Sequence, residues 1–151
     1  MSKINFIIAI LPLAFFSCGE EDKKDVQKPE IQIDFPQNCI QLRRGESFTF
    51  SARFSDNAEL GSYNIEIHNN FDRHSHSTDN VECELGDRKT PVNAWIFNRD
   101  YAIPAGQKAY EANNEIAVPA DIDTGDYHFM VRLTDKSGWQ QLAAVSVKID
   151  P

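Results

Sequence analysis

The sequence predicts an all-β fold, an antiparallel sandwich of about seven strands. Two observations carry this. Apolar residues recur at every second position in several short runs, the period of a strand with one buried face. Clusters of Gly, Pro, Asn and Asp separate those runs, and no stretch shows a helical period.

The chain opens with a leader. Lys3 precedes an apolar run from Ile4 to Phe16, too short for a permanent membrane helix but suited to a secretory signal. The run ends in Phe15-Phe16-Ser17-Cys18, where a small residue before a cysteine resembles a lipobox, so that residues 1–17 would be removed and Cys18 lipidated. Phe15 stands where such motifs usually carry Leu. Residues 18–29, with Gly19-Glu20-Glu21-Asp22-Lys23-Lys24-Asp25, are polar, charged and aperiodic, which reads as an acidic flexible tether. Residues 30–151 then make one domain.

Within the domain, Ile31, Ile33 and Phe35 alternate with polar residues up to Pro36. After the turn Arg43-Arg44-Gly45-Glu46, Phe48, Phe50, Ala52 and Phe54 alternate with Ser47, Thr49, Ser51 and Arg53. The next run, Ser62 to His68, buries Tyr63, Ile65 and Ile67 and turns Asn64, Glu66 and His68 outward. Residues 69–92 form a long polar excursion, broken only by Val81–Leu85; long loops in compact domains are commonly functional. Ala94 to Phe97 reads as a short strand, Asp100 to Asn113 as an irregular stretch, and Glu115 to Val118 as a strand ending at Pro119. Asp126 to Thr134 carries Tyr127, Phe129, Val131 and Leu133 on one face, and Gly138 closes a hairpin into the last strand, Trp139 to Ile149. Gly125-Asp126-Tyr127 resembles the tyrosine corner of immunoglobulin-like domains, which makes the expected fold an immunoglobulin-like sandwich.

The formal charge is −8, and losing Lys3 with the leader makes it −9. No basic stripe is present, which argues against nucleic acid and anionic lipid as partners. Of three cysteines, Cys39 and Cys83 remain as a pair once Cys18 carries lipid, and an oxidising compartment makes a disulfide the default. Closing that loop contributes roughly 3–4 kcal/mol in the chain-entropy model. The alternative is that one of them joins a metal site as a thiolate.

The functional signal lies in His68-Asn69-Asn70-Phe71-Asp72-Arg73-His74-Ser75-His76, which holds three of the four histidines. Imidazole is a common ligand of zinc and copper, and carboxylates from Glu66, Asp72 or Asp79 can add oxygen. In an immunoglobulin-like sheet the strand ending at His68 lies antiparallel beside the strand starting near His128. Both histidines then face outward at the edge from which the His74 and His76 loop departs. His68, His74, His76 and His128 are thus candidate zinc or copper ligands, with Asp72 as a substitute and Met130 as a sulfur donor to Cu(I). A plainer alternative leaves the histidines solvated, with Phe71 plugging the end of the sandwich.

The string from Leu60 to His76 resembles the signature of a family of small Bacteroidota lipoproteins with an immunoglobulin-like domain of unknown function. The likeness covers about residues 29–150, including Gly125-Asp126-Tyr127 and Asp135-Lys136-Ser137-Gly138. Members often carry a further histidine where this chain has Arg73, which weakens any scheme needing three adjacent imidazoles. The acidic cluster after Cys18 is similar to a surface-export signal. The resemblance implies an outer-membrane lipoprotein on the periplasmic side or the cell surface, and no established activity.

Two other functions compete with metal capture. One is an adhesion module that binds glycan or another envelope protein through Trp95, Tyr101, Tyr110 and Trp139; in a calcium-dependent variant Asp56, Asp121, Asp123 and Asp135 cluster at one end. The other is a hydrolase with zinc-bound water and Asp72 or Glu66 as base. No nucleophile elbow, HExxH helix or Ser/His/Asp set is legible, so the expectation is no catalysis.

Overall fold

The computed structural model describes residues 24–76 and 83–151. The expected leader, Cys18, Asp79, Val81 and Glu82 lie outside them. Eight strands form without a helix among the described residues: β1 (Glu30–Phe35), β2 (Ile40–Arg43), β3 (Ser47–Ser55), β4 (Leu60–Asn69), β5 (Phe97–Ala102), β6 (Ala109–Ala117), β7 (Gly125–Asp135) and β8 (Gln140–Asp150). They make a β-sandwich of a three-stranded sheet, β1-β3-β6, and a five-stranded sheet, β2-β8-β7-β4-β5. Only β2 and β8 pair in parallel.

Alternation explains the core. Phe50, Ala52 and Phe54 of β3 face Tyr63, Ile65 and Ile67 of β4 and Phe129, Val131 and Leu133 of β7, all buried. Aromatic rings join the two sheets, Phe50 to Phe129 at 5.5 Å and Phe54 to Tyr63 at 5.0 Å between centroids. Each fully buried side chain of this size contributes about 1.5–3 kcal/mol.

Three elements differ from the sequence expectation. The strand expected at Ala94–Phe97 lies instead at Phe97–Ala102, because Trp95 sinks into the core and its backbone N–H donates to the Tyr127 hydroxyl at 3.2 Å. The stretch from Asp100 to Asn113, expected to be irregular, contains the end of β5 and the start of β6. Its only fully inward residue in β6 before Ile116 is the small Ala112, so no apolar period announces a strand. Short β2 adds a parallel edge that the alternation did not mark.

The β4–β7 ladder spans the molecule. Leu60 pairs with Asp135 at one end, and His68 pairs with His128 at the other. The chain leaving β4 is held against the second end. Asn70 N donates to Asp126 O at 2.8 Å, the Arg73 guanidinium donates to Gly86 O at 2.7 and 3.1 Å, and Gly86 N donates to the Asp126 carboxylate at 2.7 Å. A disulfide joins Cys39 to Cys83, closing a loop of sequence separation 44. Phe71 is buried edge-on against Tyr127, with ring centroids 5.3 Å apart. The Tyr127 hydroxyl donates to Asp123 O at 2.7 Å, the hydrogen bond of a tyrosine corner. Gly125 is required between them: its φ is +122°, and a Cβ there would stand 3.2 Å from the Phe71 ring.

Candidate metal centre

Three features of the backbone bring the histidines together. His68 and His128 alternate onto the outer face of the five-stranded sheet and sit opposite each other in register. Arg73 adopts a left-handed conformation, φ 57°, which turns the loop back over that face. His74 and His76, two residues apart in extended chain, then reach the same point.

All four imidazoles converge. The six ring-centroid distances among His68, His74, His76 and His128 run from 4.6 to 5.5 Å. Four rings bound tetrahedrally through nitrogen at zinc distances place their centroids roughly 5 Å apart. The nitrogens of His68, His74 and His76 all lie within 4.8 Å of one another. Nε2 of His68 is 3.2 Å from Nε2 of His76 and 3.3 Å from Nε2 of His74. A tetrahedral ion with bonds of about 2.0–2.1 Å gives ligand separations of roughly 3.3 Å.

Proton placement sharpens this fit. Asp72 Oδ1 lies 2.5 Å from His74 Nδ1, so that nitrogen carries the hydrogen and leaves the lone pair on Nε2. Glu66 Oε1 lies 3.2 Å from His68 Nδ1, off the line of a good hydrogen bond but close enough to draw the proton to that side. The facing Nε2 atoms of His68 and His74 then present two lone pairs to each other. That contact is favourable only with a positive charge between them. Burial lowers the His68 pKa below its ordinary 6.5, against the pull of Glu66 and with help from His76 and His74, which favours the neutral ring that a metal requires. Carboxylates behind ligand histidines are a recurrent means of fixing tautomer and ring orientation.

The structure modifies two site expectations, those for His128 and Asp72, and pairs Cys39 with Cys83 as expected. His128 does lie on the outer face, but it is fully buried rather than outward to solvent, because the loop carrying His74 covers it. Its Nε2 donates to the His74 carbonyl at 3.2 Å, which leaves the lone pair of the neutral ring on Nδ1. Asp72 is turned to the back of His74 and accepts from its Nδ1 instead of facing the converging Nε2 atoms; its own pKa is lowered chiefly by this bond. Cys39 and Cys83, paired with each other, offer no thiolate. Met130 lies opposite Glu66 on the same face as His128, and it too is buried.

The residues of the competing functions scatter. Trp95 is buried, Tyr101 stacks on Tyr63 at 4.9 Å, and Tyr110 packs on Tyr63 at 6.3 Å, leaving Trp139 as the exposed ring of the four. The Asp123 carboxylate accepts hydrogen bonds from Val92 N and Asn93 N at 2.7 and 2.8 Å. Asp121 and Asp123 precede β7 near the histidines, whereas Asp56 and Asp135 stand at the far end, so the four do not form one cluster. Sequence reasoning placed Glu66 and Asp72 beside the histidines as added oxygen ligands, not as carboxylates behind the His68 and His74 rings. Glu66, two residues before His68 on extended β4, shares its face, whereas the left-handed turn at Arg73 brings Asp72 beside His74.

Comparison with solved structures gives distant likenesses. The chain is 12% identical to OgpA from Akkermansia muciniphila, covering 80% of this chain and 28% of that one at a TM-score of 0.47. It is 10% identical to the sporulation control protein Spo0M from Bacillus subtilis, covering 82% and 49% at 0.42. It is 11% identical to a Niemann-Pick type C2 protein from the Japanese carpenter ant, covering 87% and 98% at 0.44. The chain thus spans about a quarter of OgpA and half of Spo0M, and none of these likenesses bears on what it does. No curated protein matches it. A family model matches residues 16–150, nearly the whole chain, and on that ground the protein belongs to the family described as a domain of unknown function, DUF4625.

Proposed function

We propose that this protein is a transition-metal binding module of the cell envelope, holding zinc or copper through His68, His74 and His76, with His128 as the fourth imidazole of the cluster. The observation that carries this reading is the meeting of all four rings within 5.5 Å, although His128 is sixty residues from His68 in sequence. Glu66 and Asp72 hold the ring protons away from the ion. In this reading the protein stores or delivers metal.

The location belongs to the same proposal. The Ser17-Cys18 motif and the acidic segment behind it support a lipid-anchored, immunoglobulin-like module of the outer membrane. The Cys39–Cys83 disulfide suits an oxidising compartment. Elemental analysis of the chain purified without a histidine tag tests the site. About one zinc or copper per chain is expected, and the His74→Ala/His76→Ala double variant loses it. Metal-free protein that takes up neither ion, or a double variant that binds as before, overturns the reading.

A further inference from the structure

The end of the sandwich opposite the histidines holds a second group of potential ligands. Carboxylate oxygens of Asp25, Asp56 and Asp135 lie within 4.8 Å of one another. They come from three separate places: the segment before β1, the turn after β3, and the end of β7. Each carboxylate spends one oxygen on a backbone amide. Asp25 Oδ1 accepts from Gln27 N at 3.0 Å, Asp56 Oδ2 from Ala58 N at 2.7 Å, and Asp135 Oδ1 from Trp139 N at 2.8 Å. The other oxygens, Asp25 Oδ2, Asp56 Oδ1 and Asp135 Oδ2, are shielded from solvent; those of Asp56 and Asp135 have no hydrogen-bond partner, while the Ser137 side chain stands beside the Asp25 carboxylate.

This is an expensive arrangement for a protein to keep. Asp135 is 4% exposed, so its unpartnered oxygen lacks solvent as well as a donor. Among the described residues no basic side chain forms an ion pair with any of the three. Three carboxylates gathered with buried, unspent oxygens match the needs of a hard divalent cation, which takes oxygen ligands from flexible, irregular positions.

We infer that Asp25, Asp56 and Asp135 form a calcium site that fastens the segment preceding β1 to the turns at this end of the sandwich. Calcium suits it better than magnesium, which demands near-octahedral geometry and keeps most of its water. The segment is already strapped here by neutral contacts: the Asn57 amide donates to Asp25 Oδ1 at 3.0 Å, and Trp139 Nε1 donates to Asp25 O at 3.0 Å. The ion completes the strap and sets the direction in which the leading segment leaves the domain. With Leu60 and His68 eight residues apart on β4, this site is roughly 27 Å from the histidines and does not depend on them.

Thermal unfolding and terbium luminescence test the inference on the full chain. Three carboxylates and solvent ligands predict a dissociation constant of about 10⁻⁴–10⁻³ M, as in extracellular modules. Moving from EGTA to 10 mM calcium then raises the melting midpoint by roughly 5 °C, with a smaller response to magnesium. Terbium bound here is sensitised by Trp139, and calcium displaces it. Asp25→Asn and Asp56→Asn keep their backbone hydrogen bonds and lose both responses at least tenfold. His74→Ala/His76→Ala keeps both. No calcium shift and no terbium emission from the intact chain overturns the inference. So does a response that survives the Asp25→Asn/Asp56→Asn pair, or one that disappears with the histidines.

Discussion

His68 and His128 face each other directly across the β4–β7 ladder, with ring centroids 5.5 Å apart. The ladder therefore builds half of the candidate metal centre by register alone. A slip of either strand by one residue would send its ring to the core face, so the aromatic core that locks the register also locks the site. His74 and His76 are delivered by the loop, whose path depends on weaker and more local contacts.

The first prediction concerns Asp72. Its bond to His74 Nδ1 orients a ligand without supplying one. Asp72→Asn should leave about one metal ion per chain at saturation but weaken binding roughly 10–100-fold. Competition with a chromophoric chelator measures this, and an unchanged affinity would remove Asp72 from the site.

His128 tests whether the buried fourth ring participates. His128→Phe keeps an aromatic ring at a fully buried position while deleting both nitrogens. The variant should fold, lose at least tenfold in metal affinity, and show a coordination shell reduced by one nitrogen in X-ray absorption. Wild-type affinity would make His128 only the floor beneath the loop.

The disulfide is expected to act on both stability and site. Cys39→Ala/Cys83→Ala releases a 44-residue separation and should cost roughly 3–4 kcal/mol in chemical denaturation. Because Cys83 bounds the loop that carries His74 and His76, metal affinity should fall as well. A variant that binds as tightly as the parent would show that the loop holds its shape by hydrogen bonds alone.

Tyr63 supplies a pH signature far from the metal. Burial pushes its pKa up to about 12, and its hydroxyl donates a hydrogen bond to Asn114 Oδ1 at 2.7 Å. The raised value means that the neutral phenol is favoured by folding. Its contribution is complete below the ordinary value of about 10 and fades as pH climbs towards 12. Tyr63→Phe should flatten this alkaline loss of stability and cost about 1 kcal/mol at neutral pH, where the hydrogen bond is missing. Denaturant midpoints at pH 8 and 11.5 compare the two.

Much of this was legible in the residues. The strands with large apolar side chains on one face, β3, β4 and β7, announce themselves, and antiparallel pairing of the last two places His68 near His128 before any coordinates. Strands with small or polar residues did not: β6 turns Ala112 inward between Glu111 and Asn113, and edge strand β5 buries nothing fully. Alternation told which face His128 takes but not that a loop would cover it, since coverage is a property of the tertiary path. Asp25 lay hidden for the same reason. Its neighbours in sequence are charged and aperiodic, and its partners Asp56 and Asp135 arrive from turns that only the finished sandwich brings near.

Glu66 and Asp72 have one more consequence. Four uncharged rings backed by two carboxylates leave the pocket two units negative, so a dication makes the assembly electrically neutral while a monocation leaves it one unit short. In the proposed site, charge balance thus favours a divalent ion over a monovalent one.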